Sequence, residues 1–475
     1  MKHLLTRFTV PVLVLLCSAC TTSGGQAIDT RSVADLIVRG DHVLTMAPDA
    51  PVLRDGAVVV RAGEIVDVGD FGRIESQWRA GRTIAGEQRI LMPGLVNGHT
   101  HAAMTLLRGV ADDLELMTWL TEYIFPAEVS VVDAQFVRVG TELACYEMIR
   151  GGITTFVDMY YFGDAVAETV VDCGLRALVA PSVIEQTSPD AETGEQSLAG
   201  AVDFIKRWQG KHARIVPVLG AHSVYTISEP WLQRIQLAAA RLNAPVAIHV
   251  AESQAEISQT AQNYDMTPVA LLETLGFLQG PLIAAHVVYP DETDIQTLAR
   301  HGTGAIHNPT SNMKLASGIS PVVQMRRAGV AVGLGTDGAA SNNDLDLWEE
   351  IRMAALLAKV ANMSPTDLPA LDVLTMATRE GAEAIGMGDD VGSLVVGKRA
   401  DLIQVATDDL MQAPTYDVTS HLVYVSDSNN VTTTIVEGVV LMENGIVLSV
   451  DADALAQRVD RQRTRIATQL SLTEP

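Results

Sequence analysis

The chain has 475 residues, of which 48% are hydrophobic and 5% aromatic, and it carries a formal net charge of −24. This length accommodates a large enzyme domain with a substantial core and an accessory module. The acidic excess argues against nucleic acid or an anionic membrane surface as a partner, because the sequence offers no basic patch that would neutralise phosphates.

The N-terminus has the pattern of an export signal. Lys2 and Arg7 precede the apolar stretch 8–16, which is too short to span a bilayer as a helix. Small residues then lead to Cys20, an arrangement that resembles a bacterial lipoprotein signal, although Cys17 stands where Leu or Val is usual.

Residues 1–20 are therefore expected to be a lipoprotein-type signal peptide with Cys20 lipidated, and residues 21–33 a linker. The expected location is the periplasm or the outer membrane, and the lipid at Cys20 would be the protein's contact with a membrane. Plain secretion is the first alternative, and an uncleaved cytoplasmic start is the second.

Two β-rich segments flank the middle of the chain. Residues 34–70 alternate short runs rich in Val and Ile with Gly and Asp-Gly turns, and the same texture returns at 392–450. We predict a small β-sandwich built from both chain ends, with residues 34–88 and 391–450 as its two parts. Residues 451–475 follow as a predicted C-terminal helix.

Between these segments, apolar strand candidates alternate with helical stretches. The candidates are residues 90–97, 153–159, 176–182, 214–221, 244–250, 282–288, 303–308 and 331–336. This alternation implies parallel strands that are buried on both faces. Eight such units predict an α/β fold with a (β/α)₈ barrel of the TIM type over residues 89–390, whose active site would lie at the C-terminal ends of the strands.

His99 and His101 stand two positions apart where the first candidate strand ends. Residues i and i+2 of a strand point to the same face, so the two imidazoles can bind one metal ion. Neutral imidazole suits zinc, and also iron, copper or nickel. Taken alone, the pair is equally compatible with two polar residues that bind nothing.

Three later candidate strands also end in metal-binding or acid–base residues, namely His249 with Glu252, His286, and Asp337. The C-terminal ends of all strands of a barrel meet on one face. The sequence therefore predicts that these side chains and the first histidine pair form one site.

Cys145 and Cys173 lie in helix-like segments beyond the signal. A disulfide between them is possible in an oxidising compartment. Buried free thiols are the more ordinary interpretation, and we assign neither cysteine to the metal.

Four motifs carry a family resemblance: PGLVNGHTHAAMTLLRG at 93–109, HNPTSNMKLASGI at 307–319, GTDGAASNNDLDLWEE at 335–350 and GSLVVGKRADL at 392–402. On these motifs the chain resembles the amidohydrolase superfamily, and within it the 5'-methylthioadenosine/S-adenosylhomocysteine deaminases, over residues 34–450. The resemblance implies an aminohydrolase that acts on the C–N bond of a cyclic amidine. It would convert 5'-methylthioadenosine, S-adenosylhomocysteine or adenosine to the inosine analogue and ammonia.

The resemblance also implies a metal site. Its four protein ligands would be His99, His101, His249 and Asp337, and they would hold one divalent ion, most often zinc in relatives. Some relatives hold two metals bridged by a carboxylated lysine at the end of strand four. The segment GAHSVY at 220–225 has no lysine, which favours a single metal.

By the same resemblance, the catalytic residues would be Glu252, His286 and Asp337. The implied substrate contacts are Trp119, Glu128, His222, Glu252 and Ser341, with Glu128 on the ribose hydroxyls. Hydrolytic deamination needs an activated water, a base and an acid. Asp337 would take the proton of water, His286 would stabilise the new oxygen, and Glu252 would protonate the ring nitrogen.

The chain departs from the family pattern in two places. Some relatives have an arginine after strand three that binds the amino-acid carboxylate of S-adenosylhomocysteine, and Pro181 stands where we expect it. This weakens the expectation for S-adenosylhomocysteine more than for 5'-methylthioadenosine. The segment after His222 also lacks the proline found in many relatives.

Several other polar residues are expected to be structural. Asn308, Asn312 and Lys314 would brace the loop after strand seven. His301 precedes that strand, on the wrong side of the barrel for the site, and His307 is better placed but is expected to be structural too.

Two alternatives to a nucleoside deaminase stay open. The same chemistry could act on a free purine, a pterin or a triazine, because fold analogy supports a reaction class better than a substrate. A binding lipoprotein without turnover would show damage at the metal ligands, and all four are intact. An exported address is unusual for nucleoside salvage, which weakens the substrate assignment. The expected partner is a small nucleoside or heterocycle, with no nucleic acid, and the expected assembly is a homo-oligomer.

Overall fold

The computed structural model describes residues 29–472. The predicted signal peptide, with Cys17 and Cys20, lies outside the described residues. In chain order the strands are β1 (Ser32–Val43), β2 (Leu53–Arg61), β3 (Glu64–Asp70), β4 (Trp78–Ile84), β5 (Arg89–Pro93), β6 (Leu95–Thr100), β7 (Ile153–Tyr160), β8 (Arg176–Val183), β9 (Ile215–Pro217), β10 (Leu219–Ser223), β11 (Val246–Val250), β12 (Leu282–His286), β13 (Gly304–His307), β14 (Val332–Leu334), β15 (Leu402–Ala406), β16 (Val431–Val436), β17 (Val439–Glu443) and β18 (Ile446–Val447).

The α-helices are α1 (Phe71–Gln77), α2 (Leu116–Thr118), α3 (Phe125–Val131), α4 (Ala134–Gly151), α5 (Gly163–Cys173), α6 (Gly194–Trp208), α7 (Glu229–Leu242), α8 (Gln254–Tyr264), α9 (Pro268–Thr274), α10 (Glu292–His301), α11 (Pro309–Lys314), α12 (Val322–Ala328), α13 (Leu347–Ala361), α14 (Ala370–Met376), α15 (Arg379–Ala384), α16 (Val418–Tyr424) and α17 (Ala452–Gln469). A π-helical turn, Trp119–Ile124, joins α2 to α3.

The middle of the chain forms a closed parallel barrel. Its sheet runs β10-β11-β12-β13-β14-β6-β7-β8-β9, and β10 also pairs with β8. Because β9 and β10 both pair with β8, they share one position, and the sheet closes with eight positions around the barrel. Helices follow the strands and cover the outside of the barrel. The (β/α)₈ fold predicted from the sequence is confirmed.

Both ends of the chain build a second, mixed sheet. It runs β18-β17-β16-β15-β5-β1-β2-β3, with β4 paired to β1. Side chains from both halves meet in one apolar core, in which Val38 and Val58 pack with Leu402 and Ile435. This accessory part needs both segments, as the repeated β texture predicts, and its strands form one continuous mixed sheet where we predicted a small sandwich.

The first strand candidate, residues 90–97, is divided between the two sheets. Residues up to Pro93 pair with β1 and β15, and the barrel strand begins at Leu95. Both parts are buried, so the apolar pattern continues across the boundary and hides it. Gly94 lies between them because a Cβ there would stand 2.1 Å from Oγ1 of Thr154.

Helix boundaries follow local capping chemistry. The side chain of Asp133 accepts the backbone N–H of Phe136 at the start of α4, and Gly152 ends that helix with φ of 79°. The C-terminal helix α17 buries Leu455 and Ile466 and packs on α4. Among the described residues we find no helix with the length and apolar character of a membrane span.

Cys145 and Cys173 are both buried in the structure. Neither forms a disulfide, so each is a free thiol. Burial in apolar surroundings agrees with the ordinary structural interpretation of these cysteines.

Candidate metal centre and active site

Four histidines and one aspartate converge at the C-terminal ends of the barrel strands. His99 is in β6 and His249 in β11, while His286 ends β12. The imidazole centroid of His99 lies 4.9 Å from that of His101 and 4.8 Å from that of His249. The sequence-predicted cluster is thus assembled by strands that are distant along the chain.

Asp337 completes the cluster from the loop after β14. Its Oδ1 lies 3.4 Å from Nε2 of His99 and 3.2 Å from Nε2 of His101. The residue has φ of 61°, a left-handed conformation that is uncommon for a side-chain-bearing residue. Such strained positions are frequent at functional sites.

Backbone carbonyls orient two of the imidazoles. Nδ1 of His101 bonds the carbonyl of Met159, and Nδ1 of His249 bonds the carbonyl of His222 at 2.6 Å. A carbonyl accepts only from a protonated nitrogen, so Nε2 of each ring is the atom directed at the cluster. Metal-binding histidines in proteins are held in this way.

The donor set fits a divalent cation. Nε2 of His99 is buried without a hydrogen-bond partner among the described residues. Burial lowers the pKa of His99 to about 4 and that of His249 well below its usual range, so both rings are neutral at pH 7. Three imidazole nitrogens and one carboxylate are ligands that divalent metals of the zinc type accept. The cluster therefore has the composition of a divalent metal site.

The charge at Asp337 is stabilised by its neighbours. Burial alone would raise its pKa, but the imidazoles of His101 and His99, whose Nε2 atoms lie 3.2 and 3.4 Å from its Oδ1, hold it well below its usual range. Burial likewise opposes charge on His101, and the bond to Asp337 raises the pKa of that ring to about 9. The negative charge of Asp337 therefore favours a positive charge, on an imidazole or on a bound metal ion, between the aspartate and the two rings.

Two serines hold the outer oxygen of Asp337. Oγ of Ser311 lies 2.7 Å from Oδ2 of the aspartate, and Oγ of Ser341 lies 2.8 Å from the same atom. The backbone N–H of Gly338 donates to Oδ1. These bonds fix the carboxylate plane.

Glu252 reaches the same cavity from the turn after β11. It is buried, with 3% of its surface exposed, and burial raises its pKa. The hydroxyl of Tyr225 donates to its Oε2 at 3.1 Å, and its Oε1 lies 3.8 Å from Nε2 of His286. A carboxyl group with a raised pKa keeps its proton to higher pH, as a general acid requires.

His286 is oriented by Asn308, which follows β13, and by Asn312 in α11. Its Nδ1 lies 2.8 Å from Oδ1 of Asn312 and 3.2 Å from Nδ2 of Asn308. Its Nε2 has no hydrogen-bond partner within the described part of the chain and faces the cavity. The two asparagines were predicted to brace the loop, and they also position a catalytic candidate.

The segment from α2 to α3 closes one side of the cavity. Trp119 and Glu128 both line it, and Nε1 of the tryptophan is buried without a partner among residues 29–472. Tyr161 donates to Oε2 of Glu128 at 3.2 Å, while Oε1 is left unpartnered by the residues described. Burial raises the pKa of Glu128 to about 7. The segment thus presents a stacking surface and a hydrogen-bond acceptor.

His222 lies between the metal cluster and this segment. Its ring centroid is 4.8 Å from that of His249 and 5.9 Å from that of Phe125. Nδ1 bonds Oγ1 of Thr226 at 3.0 Å, and burial lowers the pKa of the ring to about 3. A neutral His222 lines the cavity, where it can contact a ligand.

Two sequence-based placements differ from the structure. Ser341 does not line the cavity, because its side chain is directed at Asp337. Pro181 lines a different cavity, beside Gly163 and Phe204, because alternate residues of β8 face opposite sides and Ser182 takes the inward position.

Three of the residues set aside at the sequence level, His301, His307 and Lys314, lie outside the cavity. His301 bonds Glu273 at 3.1 Å, and His307 is buried with its pKa lowered to about 3. Lys314 pairs with Asp112 at 2.6 Å. None of the three lines the cavity described above.

Sequence reasoning missed Tyr225 and Ser311. Tyr225 stands three positions after His222, just beyond the end of β10. Nothing in the local sequence indicates its hydrogen bond to Glu252. Ser311 lies in the HNPTSN motif, where a serine reads as a turn residue. Both contacts join elements far apart in sequence.

Comparison with known proteins places these observations in a family. The sequence profile of the Amidohydrolase family matches residues 90–441. A 5-methylthioadenosine/S-adenosylhomocysteine deaminase of Desulforudis audaxviator is 44% identical over 91% of this chain and 99% of its own length. A 5'-deoxyadenosine deaminase of Methanosarcina acetivorans is 45% identical over 90% of this chain and 96% of its own.

One solved structure is similar to this chain in both fold and sequence. The structure of an adenosine deaminase from Xanthomonas campestris with bound zinc superposes with a TM-score of 0.90 at 38% identity. The match covers 92% of this chain and 100% of the other.

Proposed function

This chain belongs to the amidohydrolase family, and on that premise we propose that it is a metal-dependent deaminase of adenosine-type nucleosides. It would hydrolyse the exocyclic amine of the adenine ring to give the inosine analogue and ammonia. The observation that carries the proposal is the position of Glu252, a buried carboxyl group with a raised pKa beside the histidine–aspartate cluster. The names of the relatives support the same activity.

We propose that the metal is a single zinc ion held by His99, His101, His249 and Asp337. Three imidazoles and a carboxylate suit zinc, and the related adenosine deaminase contains zinc. When bound, the ion would lower the pKa of water so that hydroxide is available near neutral pH.

The protein's own groups would move the protons. Asp337, with Oδ2 held by Ser311 and Ser341, would accept the proton of the attacking water. Glu252 would donate its proton to the ring nitrogen next to the attacked carbon, which removes the resonance that resists addition. The proton held by Asp337 would then pass to the amine, and ammonia would leave. The hydroxyl proton of the adduct would return to Glu252 as the ring carbonyl forms.

His286 would orient the hydroxyl group that adds to the ring. When its Nδ1 donates to Oδ1 of Asn312, the unpartnered Nε2 that faces the cavity is the acceptor for a hydrogen bond from that hydroxyl. A preorganised group of this kind costs no reorganisation when charge develops.

Glu128 favours a nucleoside over a free heterocycle. Its Oε1 is buried without a partner among residues 29–472, and the side chain lines the cavity. An unpaired buried acceptor is costly unless a ligand supplies a donor. Ribose hydroxyls supply such donors, whereas a free purine, a pterin or a triazine has no sugar.

We further propose that the 5' substituent is uncharged. A compartment of about 320 Å³ adjoins the cavity and shares Leu120, Phe125 and Glu128 with it. Its other walls include Val129 and Ile184, and no described lysine or arginine lines it. An amino-acid carboxylate would find no cation there, and buried charge needs a partner. A methylthio or methyl group would fit.

Export and assembly rest on the sequence alone. We propose that residues 1–20 are a signal peptide with lipidation at Cys20, and that the protein forms a homo-oligomer. Mass spectrometry of the membrane-extracted protein would test the first, and light scattering of the purified protein would test the second.

The first experiment is a spectrophotometric assay. Purified zinc-loaded protein is given adenosine, 5'-methylthioadenosine and S-adenosylhomocysteine in parallel, and the adenine-to-hypoxanthine change in ultraviolet absorbance is followed. We expect turnover, with 5'-methylthioadenosine preferred over S-adenosylhomocysteine. No turnover of any nucleoside by protein with bound metal would contradict the proposal and direct attention to other heterocycles.

A further inference from the structure

Glu256 is a buried carboxylate that the mechanism above does not use. It lies in the first turn of α8 with 1% of its surface exposed. Its Oε1 accepts the backbone N–H of Ala251 at 2.9 Å, and its Oε2 accepts that of Glu252 at 2.7 Å. One carboxylate thus binds two consecutive backbone amides at the turn that carries the proposed acid.

Ordinary helix capping does not account for this contact. Ser253 caps α8 by accepting the N–H of Glu256, so the serine and glutamate have the spacing of a capping box. In a capping box the glutamate would reach back to the N–H of the cap residue itself. Here its oxygens pass the cap and bind the two residues before it.

The bonded turn has an uncommon backbone conformation. Ala251 has φ of 51°, in the left-handed region that L-residues avoid. That conformation ends β11 and directs Glu252 into the cavity. A residue held in such a region requires contacts that compensate its cost.

The same turn supports the neighbouring strand end. The carbonyl of Ala251 accepts the backbone N–H groups of Val288 and Tyr289, each at 3.0 Å. These residues follow His286, which itself has φ of 73°. The bonds of Glu256 therefore stabilise a junction that connects both catalytic candidates.

The carboxyl group of Glu256 has no basic partner among the described residues. Within the described part of the chain Glu256 forms no salt bridge, and burial raises its pKa to about 8. Burying an acid without a cation is unfavourable unless hydrogen bonds compensate. The two amides of the turn are the compensation.

We propose that Glu256 is a positioning residue that holds Glu252 at the reacting ring by clamping the turn at Ala251. The inference rests on the proposed deaminase function. It assigns to Glu256 no contact with substrate and no proton transfer.

The test is a double-mutant cycle on the zinc-loaded full-length protein with 5'-methylthioadenosine as substrate. Glu256→Gln keeps the size of the side chain but offers one acceptor oxygen to two amides. We expect kcat to fall by about 10- to 100-fold, because small misplacements of a reacting group have effects of this size. In the Glu252→Gln background, Glu256→Gln should lower kcat by less than about twofold.

A matched control separates positioning from burial of a carboxylate as such. Asp294 is a buried acid in α10 that does not line the cavity. Its Oδ1 accepts a hydrogen bond from the hydroxyl of Thr267 at 2.6 Å. Asp294→Asn should lower the melting temperature and leave kcat within about twofold. If Glu256→Gln does not fold, the same cycle is measured with Glu256→Asp, which keeps the carboxyl group but shortens its reach.

The outcomes are distinct. A loss of kcat that is equally large with and without Glu252 would overturn the inference, as would a variant with unchanged kcat. Both leave the proposed function intact, because the unmodified protein turns over. A metal-loaded unmodified protein that deaminates no adenosine-type nucleoside would overturn the proposed function and this inference together.

Discussion

The hydroxyl of Ser341 donates a hydrogen bond to Oδ2 of Asp337 at 2.8 Å. The family resemblance placed this serine among the substrate contacts, but its side chain is buried behind the aspartate and does not reach the cavity. Together with Ser311 it fixes the carboxylate whose other oxygen lies next to His99 and His101. The serine acts on the proposed base, not on the ligand.

Ser341→Ala should therefore lower kcat by about tenfold with little change in KM. A hydrogen bond to a charged group contributes about 1.5–3 kcal/mol, and part of this is kept because Ser311 bonds the same oxygen. Steady-state kinetics with 5'-methylthioadenosine checks this expectation. A substrate contact would give the opposite result, a raised KM with kcat unchanged.

Removal of the metal should abolish activity and lower the melting temperature. A ligand that binds only the folded state stabilises it by about 2.7 kcal/mol when its free concentration is 100 times Kd. Differential scanning fluorimetry with and without added zinc measures the shift. His249→Ala should lose both the shift and the bound metal, as measured by elemental analysis. His301→Ala is the matched control, because His301 bonds Glu273 and lies outside the cluster. An unchanged zinc response in His249→Ala would contradict the ligand set.

The pH dependence of kcat should report Glu252. Burial raises the pKa of this carboxyl group, so it stays protonated above the usual range of glutamate. Because the protonated form is the proton donor, kcat should be highest at pH values below the raised pKa and should fall as the pH rises through it. Glu252→Gln should lower kcat by at least about 100-fold and remove this falling limb. Retention of the limb in the variant would assign it to another group.

Selectivity for the 5' group should respond to charge in the adjoining compartment. Val129 lines it with 56% of its surface exposed, so a longer side chain can be accommodated there. Val129→Arg should raise kcat/KM for S-adenosylhomocysteine by about tenfold, since a guanidinium can bind the carboxylate. Val129→Gln, which is polar but uncharged, should not. Equal use of S-adenosylhomocysteine and 5'-methylthioadenosine by the unmodified protein would contradict the uncharged 5' preference.

The barrel and its candidate ligands could be predicted because they depend on local patterns. Strand periodicity gave the candidate strands, and the position of His99, His249, His286 and Asp337 at strand ends placed them on one face. The prediction was less accurate where burial is continuous. Residues 90–97 read as one strand because both sheets bury their part of it, and only the pairing of β5 with β1 and β15 separates them.

The contacts that orient the site could not be predicted in this way. Tyr225 bonds Glu252, Asn312 bonds His286 and Ser311 bonds Asp337 across 25 to 30 positions. The side chain of Pro181 lies on the face of β8 that is directed away from the site cavity. The sequence does not indicate which face of the strand lies inward.

By itself, the sequence determined the barrel, the accessory sheet and the set of residues at the strand ends. These follow from the spacing of apolar and polar residues, which the backbone geometry of strands and helices fixes locally. The tertiary structure alone decided which side chains hold the catalytic groups. Closure of the barrel and the left-handed turns at Ala251 and Asp337 bring together atoms whose separation along the chain carries no information about their distance in space.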